Sequence, residues 1–258
     1  MKFHFSNLVR KLIPWGIPLL LLISWQIFVK IGVISTRILP APSDVYFAAI
    51  ELMKSGELFH HVWVSLWRAL IGFIIGGSIG FVLGLVNGLF RTTEMLLDTS
   101  VQMLRNIPHL ALIPLVILWF GIGEEAKIFL VALGVLFPIY INTFHGIKSV
   151  DQGLIEMGKI YGLKGSSLFF HIIFPNALSS ILVGIRFALG VMWLTLIVAE
   201  TISSISGIGY MAMNAREFMQ MDVVVLSILL YALLGKISDV IARFFENKWL
   251  QWHPSYQK

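Results

Sequence analysis

The chain has 258 residues, of which 57% are hydrophobic and only 13% are charged, and its mean hydropathy is +0.85. Soluble domains carry about 25% charged residues, because a surface that faces water needs them. The composition therefore predicts an integral membrane protein. The absence of cysteine excludes disulfides, thiolate metal sites and cysteine nucleophiles.

Apolar runs of about 20 residues, the length that crosses a bilayer, predict about six transmembrane helices. The first lies within residues 12–31, after a short basic segment. A signal peptide opens in the same way, but no small-x-small cleavage site follows the run, so a retained anchor is the prediction. The other spans are predicted at residues 69–90, 107–123, 128–144, 177–199 and 223–245.

The segments between the spans are more polar. Residues 43–53 predict a short amphipathic helix with Ser43 as its N-cap and Asp44 in its first turn. Residues 91–105 are a polar interruption, and residues 200–222 form a loop. Because the chain has no low-complexity linker, residues 1–258 are predicted to form one domain with its core at residues 60–246.

The distribution of basic residues predicts the orientation of the spans. With the N-terminus inside, the 19 Lys and Arg divide into eleven on cytoplasmic segments, six on external segments and two within spans. Basic residues are retained on the cytoplasmic side, so both termini are predicted to be cytoplasmic. This topology accounts for the net charge of +5 and leaves a role in nucleic-acid binding without support.

Glycines recur at every fourth position of the second span. In lipid there is little hydrophobic force between helices, so close backbone approach drives their association. We therefore expect another helix to lie in the groove. It belongs either to the same chain, as ordinary packing, or to a second subunit that slides along it. The helix-packing glycines are Gly72, Gly76, Gly80 and Gly84, with Gly88 one further step along.

Charged residues inside spans are costly and indicate pairing or function. Lys236, Asp239 and Arg243 share a face of the sixth span and can pair with one another. Arg186 lies near the middle of the fifth span without an acid nearby, and Glu200 is too far along that helix to reach it. Either another span supplies a partner, or Arg186 lines a polar passage that suits an anionic solute.

Residues 153–159 fit the first seven positions of a phosphate-binding P-loop. The eighth position is Ile160, where a Ser or Thr hydroxyl should reach the magnesium ion, and no strand precedes the segment. This route to ATP binding is therefore excluded, and any ATPase must be a separate polypeptide.

The same loop, residues 145–175, has a pattern of its own. Residues 154–161 have helical character, Gly162 can turn the chain with a positive φ, and residues 166–174 start a second helix. Pro175 is expected to kink the join to the fifth span. The predicted product is a short helix-turn-helix that projects into the cytoplasm and can fit a cleft in a partner.

Glu156, Gly162, Ile172 and Pro175 also resemble, at full spacing, the cytoplasmic signature of ABC importer permeases. That signature reads E-A-A, three residues, G, nine residues, I-x-L-P. Here Met157 and Gly158 replace the alanines, and residue 174 is Phe in place of Leu.

Further segments resemble the nitrate, sulfonate and taurine permease group, and within it the aliphatic sulfonate permeases most closely. They are residues 65–68, 108–123, 194–201 and 207–217. The resemblance implies an all-α type I ABC importer permease fold in the cytoplasmic membrane. It also implies a homodimer, two ABC ATPase subunits that hold ATP and magnesium, and an extracytoplasmic solute-binding protein.

The resemblance assigns the docking of the ATPase to one group of residues, and charged residues in or directly beside the spans suggest another group for the pathway. The docking residues are Glu156, Gly162, Leu163, Ile172 and Pro175, and the pathway candidates are Arg186, Glu200 and Arg68. Arg68 is either an interface anchor or a gate residue. No catalytic, cofactor or metal-binding residue is expected in the chain.

Other functions stay open at this point. A taurine, nitrate, bicarbonate or pyrimidine-precursor permease would have the same fold. A stand-alone proton-coupled carrier would show more carboxylates inside spans and internal repeats. A membrane enzyme would need a catalytic constellation, and the sequence offers none.

Overall fold

The computed structural model describes residues 7–252, with side chains from residue 16 onward apart from residue 203. Every regular element in these residues is helical, so the predicted all-α fold is confirmed. The predicted cytoplasmic location of the two termini falls on residues 1–6 and 253–258, which lie outside the described residues.

Eleven α-helices follow one another in the described part of the chain. In order, α1 to α11 are Asn7–Lys30, Pro42–Ser55, Glu57–Leu89, Arg91–Arg105, Ile113–Phe120, Glu124–Lys148, Gln152–Ile160, Gly165–Leu168, Phe174–Ser203, Ile208–Glu217 and Met221–Trp249. A 3₁₀ turn, His109–Leu112, precedes α5, and a π-helical turn, Phe169–Ile173, joins α8 to α9.

Four helices in the described residues are long and apolar enough to cross a membrane: α3, α6, the continuous stretch Gly165–Ile202, and α11. The pair formed by α4 and His109–Phe120 is a fifth candidate, bent by 79°. The apolar part of α1, Gly16–Lys30, is shorter. These elements agree with the predicted number of about six.

The third span differs from the prediction, because it is not one helix over residues 107–123. Helix α5 has eight residues and rises only about 12 Å, whereas the hydrocarbon core is about 30 Å thick. The chain breaks before it, where Pro108 disfavours a helical conformation in the residue that precedes it. The supposed polar interruption, residues 91–105, is helix α4. Its Asp98 accepts a hydrogen bond from the Tyr140 hydroxyl of α6 at 2.7 Å.

Two smaller predictions also need correction. Helix α2 begins at Pro42, so Ser43 is not its N-cap; the Ser43 hydroxyl instead accepts from Gln26 Nε2 of α1 at 3.2 Å. The proline fits the first helical position because its missing N–H is not needed there. The loop between the fifth and sixth spans contains a ten-residue helix, α10, which packs against α9 and α11.

Helix α6 fills the groove that the glycines of α3 form. A Cβ atom added at Gly76 would lie 2.0 Å from the carbonyl oxygen of Ala132, and one added at Gly80 would lie 2.4 Å from that of Leu136. Backbone atoms at these distances leave no room for any side chain. The neighbour is thus a helix of the same chain, and the alternative of a sliding subunit at this face is wrong. Helix α9 packs on the other side of α6.

Gly76→Ala is expected to destabilise the protein by about 1–3 kcal/mol, the usual cost of overpacking, because the backbone of Ala132 cannot move aside. Gly77→Ala is the matched control, since its added Cβ would meet only side-chain atoms, Ile139 Cδ1 at 3.1 Å and Val135 Cγ1 at 3.9 Å. Thermal unfolding in detergent, followed by tryptophan fluorescence, measures both variants. Equal unfolding temperatures in the two variants would contradict the close contact between α3 and α6.

Candidate functional site: a docking loop and two charge networks

Glycine ends the first helix of the loop at residues 145–175 as the sequence predicts. Gly162 has φ +85°, and it forms the Schellman arrangement that closes many helices. The Leu163 N–H donates to the Gly158 carbonyl at 2.9 Å, and the Gly162 N–H donates to the Lys159 carbonyl at 3.0 Å. At the other end of α7, Asp151 accepts from the Gly153 N–H at 2.7 Å. Both ends of α7 are therefore fixed by the local sequence.

The second arm of the loop continues directly into the fifth span. Pro175 lies in the first turn of α9, where its missing N–H breaks no bond. A π-helical turn, Phe169–Ile173, precedes Pro175, and the helix runs without a break from Gly165 to Ile202, so the kink expected at Pro175 does not interrupt it. A displacement of the loop would consequently act on the whole span.

The two arms pack against each other through a glycine. A Cβ added at Gly158 would lie 2.3 Å from Ile172 Cδ1 and 2.9 Å from Leu168 Cδ1. The departure from the family's alanine at residue 158 thus makes room for Ile172. This contact leaves the tip of the loop uncovered, with Ile160 84% exposed and Tyr161 81% exposed. Glu156 is exposed on the same helix.

A buried ion pair joins the second and fifth spans at the other end of the molecule. Arg68 is 1% exposed, and its Nη1 donates to Glu200 Oε1 at 2.7 Å. Its Nε and Nη2 donate to the two carboxylate oxygens of Glu124, at the start of α6, at 2.5 and 2.6 Å. Such bidentate pairs combine strong bonds with a fixed geometry. Nη1 also donates to the carbonyl of Ser206 at 2.6 Å.

The carboxylate of Glu200 accepts hydrogen bonds from several elements besides Arg68. It accepts from the Ser65 hydroxyl at 2.8 Å, from the Tyr231 hydroxyl at 2.8 Å and from the Gly209 N–H at 2.9 Å. A Cβ at Gly207 would lie 2.4 Å from the same carboxylate, and Gly207 has φ +108°. The Ser206-Gly-Ile-Gly209 segment therefore wraps around Glu200 because its glycines permit it.

Another span supplies the partner of Arg186, which is one of the two alternatives that the sequence left open. Its Nε donates to Asp239 Oδ1 of α11 at 2.7 Å, and its Nη1 lies 3.7 Å from Glu246 Oε2. Asp239 also pairs with Lys236 at 3.5 Å and with Arg243 at 3.0 Å, the internal pairing predicted for the sixth span.

The three pathway candidates fall into two groups. Arg68 and Glu200 are bonded to each other, whereas Arg186 lies fourteen residues before Glu200 on α9, about 21 Å away along the helix axis. Sequence reasoning missed Glu124 and Tyr231 as partners in the buried network. The need for every charge in a span to find a partner indicated that such residues exist, but not which ones.

The family model described as "Binding-protein-dependent transport system inner membrane component" matches residues 72–251. The chain belongs to this family. The permease is therefore a multi-pass inner-membrane component of an ABC importer, which works with ATPase and binding-protein partners. Membership also confirms that it is a transport subunit and not an enzyme.

Several relatives match the permease over most of its length. The SsuC protein of Escherichia coli K12, named for aliphatic sulfonate transport, is 65% identical over 94% of this chain and 92% of that protein. SsuC of Bacillus subtilis 168 is 45% identical over 93% of this chain and 87% of its own length. The taurine transport permease TauC of E. coli K12 is 32% identical over 94% of this chain and 90% of its own length.

Solved structures share the fold of the permease. An amino acid ABC transporter with histidines superposes with a TM-score of 0.63 at 15% identity, covering 78% of this chain and 97% of that one. The MetNI methionine ABC transporter, in an inward-facing conformation, superposes with a TM-score of 0.51 at 22% identity. The match covers 71% of this chain and 93% of that one. The predicted type I ABC importer permease fold is thereby confirmed.

Arg68→Gln is expected to destabilise the permease by about 3–5 kcal/mol, because it leaves Glu200 buried without its cation. The unfolding temperature in detergent should fall by about 10 °C for a chain of this size. Arg216→Gln is the control, since Arg216 is exposed on α10. An unchanged unfolding temperature for Arg68→Gln would show that the pair contributes nothing to stability.

Proposed function

We propose that the permease imports aliphatic sulfonates across the cytoplasmic membrane. The observation that carries this proposal is the 65% identity to SsuC of E. coli over 94% of the chain. The identity to the taurine permease TauC is half as high. Taurine is itself a small sulfonate, so the two relatives agree on the anionic group and differ in the remainder of the solute.

In the proposed cycle, two copies of the permease form a homodimer with two ATPase subunits beneath it. Each ATPase receives the tip of the loop at Ile160 and Tyr161, two large adjacent side chains that are 84% and 81% exposed. ATP and magnesium are held by the ATPase. Its closure pulls on Glu156 and α7, and the Gly158–Ile172 contact passes the movement to α9.

The buried network of Arg68 and Glu200 lies at the outer end of the spans in the proposed orientation, in which both termini are cytoplasmic. A binding protein delivers the solute there, against residues 43–59 and 202–222. Arg68 and Glu200 act as gate residues by holding the Ser206-Gly-Ile-Gly209 segment, rather than by touching the solute, since both are 1% exposed.

Deletion of the gene tests the solute directly. In a strain without other sulfonate uptake, the deletion should abolish growth on ethanesulfonate or octanesulfonate as the sole sulfur source, and a plasmid copy of the gene should restore it. Growth on sulfate serves as the control, because it needs no sulfonate import. Unimpaired growth on both alkanesulfonates would refute the proposal, and a defect limited to taurine would favour a taurine permease instead.

Tyr161→Asp is expected to weaken ATPase docking by about 2 kcal/mol or more, the typical effect of removing an aromatic anchor, which is about a thirtyfold loss of affinity. The ATPase should then no longer co-purify with the inserted permease, and uptake should fall with it. Ile38→Asp is the matched control, because Ile38 is 74% exposed in the segment before α2. Normal co-purification of the Tyr161 variant would contradict docking at the tip.

A further inference from the structure

A cleft of about 500 Å³ opens beside Arg186, between α9 and α11. Binding sites for small molecules commonly have volumes of about 300–1,000 Å³. The wall is apolar except for one ion pair. The residues that shape it include Val183, Arg186, Phe187, Gly190, Leu194 and Asp239.

The ion pairs around the cleft do not use all the hydrogen-bond donors of Arg186. Asp239 is shared among Arg186, Lys236 and Arg243, at 2.7, 3.5 and 3.0 Å. Glu246 is 3.7 Å from Arg186, too far for a hydrogen bond. Within the described residues, Arg186 therefore donates only through its Nε, and its two Nη groups make no hydrogen bond. A planar guanidinium with free donors suits the oxygens of a sulfonate.

The depth of the cleft distinguishes a solute from a lipid headgroup. Arg186 is nine residues into the apolar run 177–199, about 14 Å from its inner end. Headgroups lie outside the hydrocarbon core, which is about 30 Å thick. An anion that reaches Arg186 has thus left the bilayer surface, as a transported solute does.

We propose that this cleft is a solute subsite of the permease, in which Arg186 binds the sulfonate group and the apolar wall holds the alkyl chain. The proposal rests on the proposed function and adds the place where the permease recognises its solute. Asp239 neutralises Arg186 while the subsite is empty, and the sulfonate competes with it for the guanidinium. The subsite therefore favours an anion with an apolar tail over a small inorganic anion.

A substitution at Gly190 tests whether the apolar wall of the cleft holds the alkyl chain. Gly190 lines the cleft, and a Cβ added there has no atom within 4 Å, so the side chain of Gly190→Leu starts in open space at the cleft wall. Proteoliposomes with the complete transporter and its binding protein measure uptake of octanesulfonate and ethanesulfonate. We expect the octane-to-ethane uptake ratio to fall about tenfold relative to wild type, which corresponds to about 1.4 kcal/mol. Dividing the uptake ratio of the variant by that of wild type cancels the binding protein's own preference for one of the two solutes.

Gly16→Leu is the matched control, because Gly16 on α1 also has no atom within 4 Å of an added Cβ. Its uptake ratio should equal that of wild type. An unchanged ratio in Gly190→Leu, or an equal loss of both solutes, would overturn the proposal. So would a shift in ratio that appears only when phosphatidylglycerol is added to phosphatidylethanolamine vesicles, because that result would assign the cleft to lipid.

Arg186→Gln tests the anion end of the subsite in the same vesicles. Uptake of both alkanesulfonates should fall at least about tenfold, while ATP hydrolysis stimulated by the loaded binding protein persists. Arg186→Lys, which keeps the charge and can still pair with Asp239, should recover part of the uptake. Wild-type uptake in Arg186→Gln would refute the subsite. If instead the wild-type complex carries no sulfonate, the proposed function fails before the subsite is tested.

Discussion

The ion pair between Arg68 and Glu200 is the interaction on which one end of the structure depends, the end where α9 finishes and α10 begins. A charge inside a bilayer is tolerated only when it is paired or solvated, and here each charge is completed by several elements. Arg68 holds the start of α6 through Glu124, while Glu200 holds α11 through Tyr231. The surrounding helices could not separate at this point without leaving a buried charge unpaired, so the network holds them together at this end.

The fifth span connects this network to the other two sites. The continuous helix Gly165–Ile202 has 38 residues and a length of about 57 Å. It begins in the loop before the fifth span, passes Arg186 near its middle and reaches Glu200 close to its end. Because the helix has no break, we expect a displacement at the loop to reach the cleft beside Arg186 and the network of Arg68 and Glu200 through this single helix. The π-helical turn at Phe169–Ile173 is the place where such a helix can change its winding.

The parts of the fold that the sequence predicted depend on local chemistry. The loop was predictable because Gly162 needs a positive φ and its neighbours lie within a few residues. The apolar runs identified the spans for the same reason. The partner of Arg68 was not predictable, because Glu200 is 132 residues away and only the packing of α3 on α6 and α9 brings the two together. The bend of the third span was not predictable from the apolar run 107–123, because that run continues through Pro108 whereas the helix does not.

The glycine contact between α3 and α6 limits which movements alternating access can use. Carbonyl oxygens of α6 lie where side chains of α3 would otherwise be, so the two helices cannot slide without a collision. Helix α9 packs tightly on the opposite side of α6, since a Cβ at Gly184 would lie 2.5 Å from Asn142 Cβ. These three helices therefore form one rigid unit. By contrast, the side of α9 that carries Phe187 and Leu194 is open. We therefore expect the change between outward- and inward-open states to use that open side of α9, where the cleft beside Arg186 lies, rather than movement between these three helices.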